Sequence, residues 1–400
     1  MNILVITSRV PYPLHDGGAI ATYNQVKIYA ALGHRVTMCC LNTRKHFVSA
    51  ATIRHAFDFA AEVITVEADT NIKPLPALRS LLDGTSYNIV RFDQEAMHRE
   101  LKKICVGKSF DLIQLEGLFT APYIETLRKI SRAPLLLRQH NVEFRIWEKL
   151  AAHTPQFLKR QYLKLLARRL KAYELARLPL VNTVAAITEE DAVDLKALCP
   201  AARVITARAG IDIPVSVYPG NPLAVYHLGS MEWMPNRAGI SWFLKEVWPM
   251  IIKCEPKATL HLAGKGLETD FGHPLPSVVE NSGEVEDAAQ WYAPFGISIV
   301  PLMAGSGVRM KTLEALAAGK NVVSTSTGAA GLPLTHGKEV LLADDPEAFA
   351  KAVLRLMHDE VLRLSLREQG RKLAARYNRI ELARELLIHA TQIQTYSTNP

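Results

Sequence analysis

Short apolar runs alternate with longer amphipathic stretches along almost the whole chain. The first such unit has an apolar run at residues 3–7, an amphipathic stretch from about 20 to 32, and a second apolar run at 36–41. Apolar runs of this length predict buried strands, and the amphipathic stretches between them predict helices. Because strands and helices alternate throughout, we predict the α/β class, with parallel sheets covered by helices.

This pattern is interrupted once and then restarts. Residues 213–222 contain three prolines and one glycine, which interrupt any regular element. We therefore predict two Rossmann-like domains, at residues 1–212 and 224–378, joined by a linker at 213–223. The amphipathic residues 379–400 predict a C-terminal helix that returns toward the first domain. The remaining strand candidates are residues 111–115, 134–138, 184–187 and 203–207 before the linker, and 224–228, 259–263, 297–300 and 321–324 after it.

Composition narrows the class of protein. A chain of 400 residues exceeds one ordinary core, and a hydrophobic content of 48% is typical of globular proteins. No apolar run approaches the roughly 20 residues of a membrane helix. The first residues have the character of a strand rather than of a signal peptide. The five cysteines are scattered without a C-x-x-C pair, which argues against disulfides and structural zinc. We therefore expect a cytoplasmic protein.

The net charge of +8 at pH 7 favours an anionic partner. A phosphorylated substrate or an acidic lipid surface fits this charge, whereas nucleic acid is not expected, because no nucleic-acid-binding motif is present. Seven of the cations lie between Lys159 and Arg177, beside an apolar stripe on one predicted helix. Such a helix either rests on an anionic bilayer or is a solvated face over a packed stripe. Peripheral membrane association is therefore a hypothesis.

The segment from Gly305 to Glu314 carries the strongest chemical signal. It follows an apolar run and predicts a strand, a glycine-rich turn and a helix. A helix N-terminus attracts anions, and glycines let the backbone approach a phosphate. Arg309 and Lys311 add two donors for a diphosphate, and Glu314 is placed to accept hydrogen bonds from ribose or sugar hydroxyls. The alternative is a plain turn followed by a surface pair between Lys311 and Glu314.

The dinucleotide fingerprint G-x-G-x-x-G is absent from both glycine-rich loops. The loop after the first strand lacks it, and Met310 stands where a third glycine would follow Gly305 and Gly307. NAD binding is therefore not expected.

Four motifs occur in order along the chain: residues 11–18 (PYPLHDGG), 140–143 (HNVE), 228–236 (LGSMEWMPN) and 305–318. Together they resemble glycosyltransferase family 4 (group 1). Within that family, they are most similar to the bacterial branch that acts in exopolysaccharide and capsule assembly. The resemblance implies a GT-B fold, with two Rossmann-like domains facing a cleft, the nucleotide sugar on the C-terminal domain and the acceptor on the N-terminal one. It also implies a retaining, metal-independent transfer that needs no cofactor besides the donor. The chain contains no D-x-D motif, which agrees with metal independence.

The resemblance also implies roles for individual residues. His140 would face the transferred sugar, Arg309 and Lys311 would stabilise the departing diphosphate, and the loop of Asp16, Gly17 and Gly18 would lie at the reaction centre on the acceptor side. The implied donor-binding residues are Ser306, Gly307, Thr312, Leu313, Glu314, Val285, Asp287, Lys265, Gly229 and Asn236.

Two departures from the family pattern and several structural alternatives accompany these roles. Ser306 stands where much of the family has a glutamate, and the turn at Gly229 replaces one that bears an arginine. His140 is alternatively held by Glu143 in a purely structural role. The alternatives for Asp16 and Asp287 are helix N-caps, and Lys265 is alternatively an ordinary exposed lysine.

The sequence thus predicts a hexosyltransferase-type glycosyltransferase. It would move a sugar from a nucleoside diphosphate to a glycan or polyprenyl-linked acceptor, in cell-surface polysaccharide synthesis. One alternative is a nucleotide-sugar 2-epimerase of similar architecture, which needs no acceptor. Another is a non-catalytic partner that binds a sugar nucleotide.

Overall fold

The chain folds into two compact units. The computed structural model describes residues 1–14, 17–71, 80, 85–152, 154–267, 279–304 and 308–392. One unit comprises Met1–Ala209 and the chain from Ile380 onward, and the other comprises Gly210–Arg379. The predicted linker at 213–223 therefore lies within the second unit, where its last residues already belong to a strand.

The first unit is built on a seven-stranded parallel sheet with the order β3-β2-β1-β4-β5-β6-β7. Its central strands are buried along nearly their whole length, because helices cover both faces, and this explains their apolar composition. The strands are β1 (Asn2–Thr7), β2 (Arg35–Thr43), β3 (Glu62–Ala68), β4 (Leu112–Glu116), β5 (Leu135–Gln139), β6 (Thr183–Ala186) and β7 (Val204–Thr206).

Helices of the first unit follow most of these strands. They are α1 (Gly17–Ala31), α2 (Ala50–Ala56), α3 (Tyr87–Val90), α4 (Glu95–Gly107), α5 (Ile124–Ile130), α6 (Glu143–Ala152), α7 (Phe157–Arg177) and α8 (Glu189–Leu198), with short 3-10 turns at Arg44–His46, Leu118–Tyr123 and Leu178–Leu180.

The second unit contains a six-stranded parallel sheet with the order β10-β9-β8-β11-β12-β13. Its strands are β8 (Asn221–Leu228), β9 (Thr259–Ala263), β10 (Val279–Asn281), β11 (Phe295–Val300), β12 (Asn321–Ser324) and β13 (Leu341–Leu342). Its helices are α9 (Met234–Trp242), continued by a π-helical turn at Phe243–Val247, then α10 (Trp248–Cys254), α11 (Ala288–Tyr292), α12 (Met310–Ala317), α13 (Ser326–Ala329), α14 (Pro346–His358) and α15 (Glu360–Ala375).

The last helix returns to the first unit. Helix α16 (Arg379–Thr391) buries Ala383, Leu386, Leu387 and Ala390 in the hydrophobic cluster that also contains Val26. The predicted α/β class with two Rossmann-like sheets is confirmed. Across the described residues, no helix combines the length and the apolar character that a bilayer span requires.

Lys320 is a fully buried lysine between α12 and β12. Its Nζ donates hydrogen bonds to the carbonyl oxygens of Ala293 (2.9 Å) and Phe295 (2.7 Å), and it lies 5.5 Å from the ring centre of Tyr292. Burial, followed by the nearby charge of Arg367, lowers the pKa of Lys320 to about 7.

The depressed pKa of Lys320 makes stability depend on pH. Between about pH 7 and the ordinary lysine value, the unfolded chain binds a proton at this site that the folded chain does not. The free energy of unfolding should therefore rise with pH in this window, by about 1.4 kcal/mol per pH unit from this one group. In Lys320→Met this contribution should be absent, as measured by urea titrations at several pH values.

The exposed Lys351→Met serves as the matched control and should keep the pH dependence of the wild type. If the stability difference between the wild type and Lys320→Met did not change with pH, the buried lysine would not be the source.

Candidate active site

His227 lies next to the end of β8 and is completely buried. Its Nδ1 is 2.9 Å from the carbonyl oxygen of Ile299 on the neighbouring strand β11. Because a carbonyl oxygen only accepts, Nδ1 carries the proton and Nε2 presents a lone pair. Burial, together with the charge of Lys311, lowers the pKa of His227 well below its usual value. The ring is therefore a neutral acceptor at physiological pH.

Lys311, in the first turn of α12, contacts that acceptor. Its Nζ donates to Oδ1 of Asn236 (2.8 Å) and lies 3.4 Å from Nε2 of His227. The buried Asn236 is fixed in turn, because its Nδ2 donates to the carbonyl oxygen of Ser230 (2.8 Å). Burial, followed by repulsion from Arg309, lowers the pKa of Lys311 to about 7. The ammonium group is thus held by neutral acceptors, in a place where a bound anion would restore its charge.

Two further features complete this corner of the second unit. Arg309 directly precedes α12, is buried, and places its guanidinium 5.5 Å from the ring centre of Trp233. Gly229 lies beneath Lys311, since a Cβ atom there would come within 2.6 Å of the lysine Nζ and 2.8 Å of Asn236 Nδ2. Glycine at this turn lets the backbone lie against the charged group.

The other predicted donor residues are less closely connected to this corner. Glu314 is exposed one turn further along α12, whereas Thr312 and Leu313 are buried. Asp287 accepts a hydrogen bond from the Gln290 N–H (3.1 Å) as the N-cap of α11, with Val285 half-buried just before it. The exposed Lys265 lies 3.4 Å from Glu232. Ser306 and Gly307 lie outside the described residues.

In the first unit, the carboxylate of Glu116 at the end of β4 accepts hydrogen bonds from four side chains. Its Oε2 accepts from Thr22 Oγ1 (3.1 Å), Arg138 Nη1 (3.1 Å) and His140 Nε2 (2.6 Å). Its Oε1 accepts from Gln114. Thr22 belongs to the helix that begins at Gly17, and Arg138 and His140 come from the end of β5.

The carboxylate of Glu116 is ionised, and both of its oxygens accept hydrogen bonds. Burial alone would raise its pKa, but the charge of Arg138 and the hydrogen bond from His140 outweigh burial and lower the pKa to about 2. The partner of His140 is therefore Glu116, not the Glu143 of the structural alternative. With Nε2 committed to this carboxylate, Nδ1 of His140 is left for a ligand.

Three of these side chains, Thr22, Glu116 and His140, line a cavity of about 700 Å³ at the carboxyl ends of the first unit's strands. Gly18, Glu116, His140 and Glu143 all contribute to its wall. Burial raises the pKa of Glu143. Gly17 begins α1 beside it, and Asp16 lies outside the described residues. The edge of a parallel sheet where strands end is where open α/β folds bind ligands.

Sequence reasoning missed Glu116, Arg138 and His227. A signal existed for each of them, because each is a charged or titratable residue inside or directly after a predicted apolar strand. A polar residue in such a place is buried, and buried polar groups need partners.

A segment of the second unit is similar to a known protein family. Residues 222–359 match the family model described as glycosyl transferases group 1. The matched segment covers most of the second unit. This match confirms the predicted enzyme class, a glycosyltransferase of the hexosyltransferase type, and it does not favour the epimerase.

Similar whole chains extend the comparison. An uncharacterized 44.6 kDa protein in the cps region of Klebsiella pneumoniae is 23% identical over 374 residues, which cover 88% of this chain and 90% of that protein. Anabaena Alr3699/HepE in complex with UDP is 14% identical, with a TM-score of 0.64 and coverage of 98% of this chain and 100% of that one. The pneumococcal O-GlcNAc transferase GtfA with UDP and GlcNAc is 12% identical, with a TM-score of 0.63 and 98% coverage of both chains. The transferase shares the GT-B fold of these structures.

We expect Glu116→Gln to destabilise the transferase by about 3 kcal/mol at pH 7, because it leaves Arg138 buried without its counter-charge. The folded pKa of Glu116 lies below its ordinary value, so its stabilisation is complete above about pH 4.5 and is lost as the pH falls toward 2. The difference from the wild type should therefore shrink near about pH 3. Urea titrations at both pH values measure it.

Glu148→Gln is the matched control. It removes an exposed carboxylate that lies 2.9 Å from Arg145 on the surface, and it should cost less than about 1 kcal/mol. An equal loss in both variants would contradict the anchoring role of Glu116.

Proposed function

We propose that this transferase moves a hexose from a UDP-sugar to a glycan or polyprenyl-linked acceptor, with retention at the anomeric carbon and without a metal ion. The observation that carries the proposal is the pair Arg309 and Lys311 at the start of α12, with Lys311 held against Gly229, Asn236 and His227. A diphosphate is the group that such a pair of cations, one buried and one half-buried, suits best.

Support for the donor comes from both the charge and the neighbours. Lys311 forms no ion pair with a carboxylate within the described part of the chain, and the charge of Glu314 on the same helix only partly offsets the lowering of its pKa. Because the pKa stays depressed, an oxyanion would bind together with a proton. Solved structures of the same fold contain UDP or UDP-glucose, so we propose UDP as the nucleotide. The exposed Glu314, one turn away on α12, would accept hydrogen bonds from the ribose hydroxyls.

The chemistry follows from these charges. As the bond between the anomeric carbon and the diphosphate breaks, negative charge develops on the phosphate oxygens, and Arg309 and Lys311 stabilise it in the role that a metal ion has in other transferases. The acceptor oxygen bonds to the anomeric carbon on the same face, and its proton passes to the departing diphosphate. His140 contributes Nδ1 as a hydrogen-bond acceptor for a sugar hydroxyl, because Glu116 occupies Nε2.

The acceptor class has support from the relative in the cps region, which points to capsule synthesis. The deciding experiment incubates the purified protein with UDP-glucose, UDP-galactose and UDP-N-acetylglucosamine in EDTA, with and without oligosaccharide acceptors. Release of UDP that depends on acceptor, with an α-linked product by NMR, supports the proposal. Conversion of the donor sugar without acceptor would indicate an epimerase, and binding without turnover a non-catalytic partner.

We predict that Lys311→Met lowers turnover about 100-fold, because it removes a donor that acts on the developing charge. UDP affinity of the wild type should also fall as the pH rises through about 7, where Lys311 loses its proton. Initial rates and calorimetric UDP titrations between pH 6 and 9 (roughly one unit below to two above this pKa) measure both effects.

Lys257→Met, at an exposed lysine of the same unit, is the control and should behave as the wild type. A pH dependence of UDP affinity that persists in Lys311→Met would assign the titration to another group.

Membrane association forms a second part of the proposal. Leu166 and Leu170 of the predicted stripe on α7 are buried, but the N-terminal part of the helix is not: Phe157 is 61% exposed and Leu158 82% exposed. Two further exposed apolar side chains, Ile146 and Leu150, lie on the preceding helix α6. Apolar side chains beside the cations of α7 suit the interface of an anionic bilayer.

We predict that the protein sediments with vesicles of phosphatidylglycerol and phosphatidylcholine but not with phosphatidylcholine alone. The double substitution Phe157→Ser with Leu158→Ser should weaken binding about 10-fold, because it removes the apolar contact. High salt should weaken it further through screening. Equal sedimentation with both vesicle types would remove the electrostatic part, and equal sedimentation of the variant would contradict the hypothesis.

A further inference from the structure

The cavity of the first unit also has a cationic and aromatic wall, which differs from the wall that contains Glu116 and His140. It is formed by residues that follow β2, β3 and α3, among them Lys45, Asn71, Arg91 and Phe92. Nothing in the donor chemistry uses these side chains. The inference rests on the proposed function and deepens it, because the family resemblance implies that the acceptor binds to this unit.

Arg91 is the unusual member of this wall. It is half-buried, and among the described residues its side chain makes one long hydrogen bond, from Nη1 to the carbonyl oxygen of Thr70 (3.4 Å). Its Nε is buried and has no hydrogen-bond partner among the described residues. No carboxylate of the described chain forms an ion pair with it, and burial lowers its pKa. A guanidinium in this state is costly unless an anion completes it.

The rest of the cavity does not supply that anion. Glu116 is already neutralised by Arg138, and the pKa of Glu143 is raised by burial. Lys45, from the 3-10 turn after β2, adds a second cation to the same wall and has no carboxylate partner among the residues described. The described lining is therefore cationic on this side.

Aromatic rings lie beside the guanidinium. Phe92 and Phe119 both line the cavity, with ring centres 4.9 Å apart and planes inclined by 36°. Arg91 lies 4.9 Å from the ring centre of Phe92. Apolar ring faces bind the C–H face of a sugar, while a guanidinium fork matches the two oxygens of a carboxylate or phosphate.

We propose that this cavity binds an acceptor sugar that carries an oxyanion, either the carboxylate of a uronic acid or a phosphate monoester. Arg91, assisted by Lys45, binds the oxyanion. The sugar ring lies on Phe92 and Phe119, and a hydroxyl faces His140. Arg91 is thus a specificity-determining residue for the acceptor.

The experiment compares the wild type, Arg91→Gln and Arg91→Lys with three probes: methyl glucoside, methyl glucuronide and glucose 6-phosphate. Binding is measured by saturation-transfer NMR, and transfer from a UDP-sugar by initial rates. We expect the wild type to prefer at least one anionic probe, and Arg91→Gln to raise the KM for that probe about 10- to 100-fold while leaving the neutral probe unchanged. Arg91→Lys, which keeps the charge but lacks the fork, should fall between them.

The control is Arg99→Gln on α4, an exposed arginine outside the cavity, which should match the wild type. A preference for glucuronide identifies a uronic acid, and a preference for the phosphate identifies a sugar phosphate. Equal binding of all three probes, or an unchanged KM in Arg91→Gln, would overturn the inference.

Hydrolysis of the UDP-sugar without acceptor separates this inference from the proposed function. If Arg91→Gln weakens UDP-sugar hydrolysis as Lys311→Met does, Arg91 belongs to the donor site and the inference is wrong. If the wild type shows no hydrolysis and no transfer, the proposed function fails, and the NMR binding data still decide whether the cavity selects an oxyanion.

Discussion

Parallel strand pairing determines where chemistry is possible in both units. The interior strands are covered on both faces, so that polar side chains meet a cavity only at the edge where the strands end. Glu116 ends β4 and His140 directly follows the neighbouring strand β5 in the first unit, and His227 is next to the end of β8 in the second. Because Glu116 and His227 are buried, the charge state of each depends on its immediate partners. Glu116 accepts hydrogen bonds from four side chains, whereas the acceptors that contact Lys311 among the described residues are neutral.

Two lysines of the second unit have similarly shifted pKa values, but their hydrogen-bond partners indicate different roles. Lys320 and Lys311 are both shifted to a pKa of about 7, mainly by burial. Lys320 donates to the main-chain carbonyl oxygens of Ala293 and Phe295, at the start of β11. Lys311 instead contacts two side chains that are themselves held by the backbone, beside a glycine that leaves room for nothing larger. The contacts of Lys320 thus stabilise the fold, whereas those of Lys311 keep a cation oriented for a ligand.

The sequence predicted the central strands of both sheets, because their burial on both faces requires continuous apolar runs. It missed β3, β10 and β13, which lie at sheet edges. Strand β3 is half-exposed and therefore has no continuous apolar run, and β10 and β13 are only three and two residues long. Arg309 and Lys311 were predictable because they lie in one contiguous motif. The roles of Glu116, Arg138 and Arg91 were not, because they depend on partners from different strands and loops.

The return of α16 gives the chain an order of assembly. The chain leaves the first unit after Ala209 and re-enters it at Ile380. The two crossing segments pair with each other, because the Ile211 N–H donates to the carbonyl oxygen of Tyr377 (2.8 Å) and the Arg379 N–H donates to that of Ile211 (3.0 Å). The hydrophobic cluster around Val26 is complete only when Leu386 and Leu387 are present. During synthesis, residues 1–209 therefore leave the ribosome before the helix that completes one of their two hydrophobic clusters. The face of the sheet that α16 covers keeps apolar surface exposed until the chain beyond residue 380 is made, and exposed apolar surface of this kind is prone to aggregation.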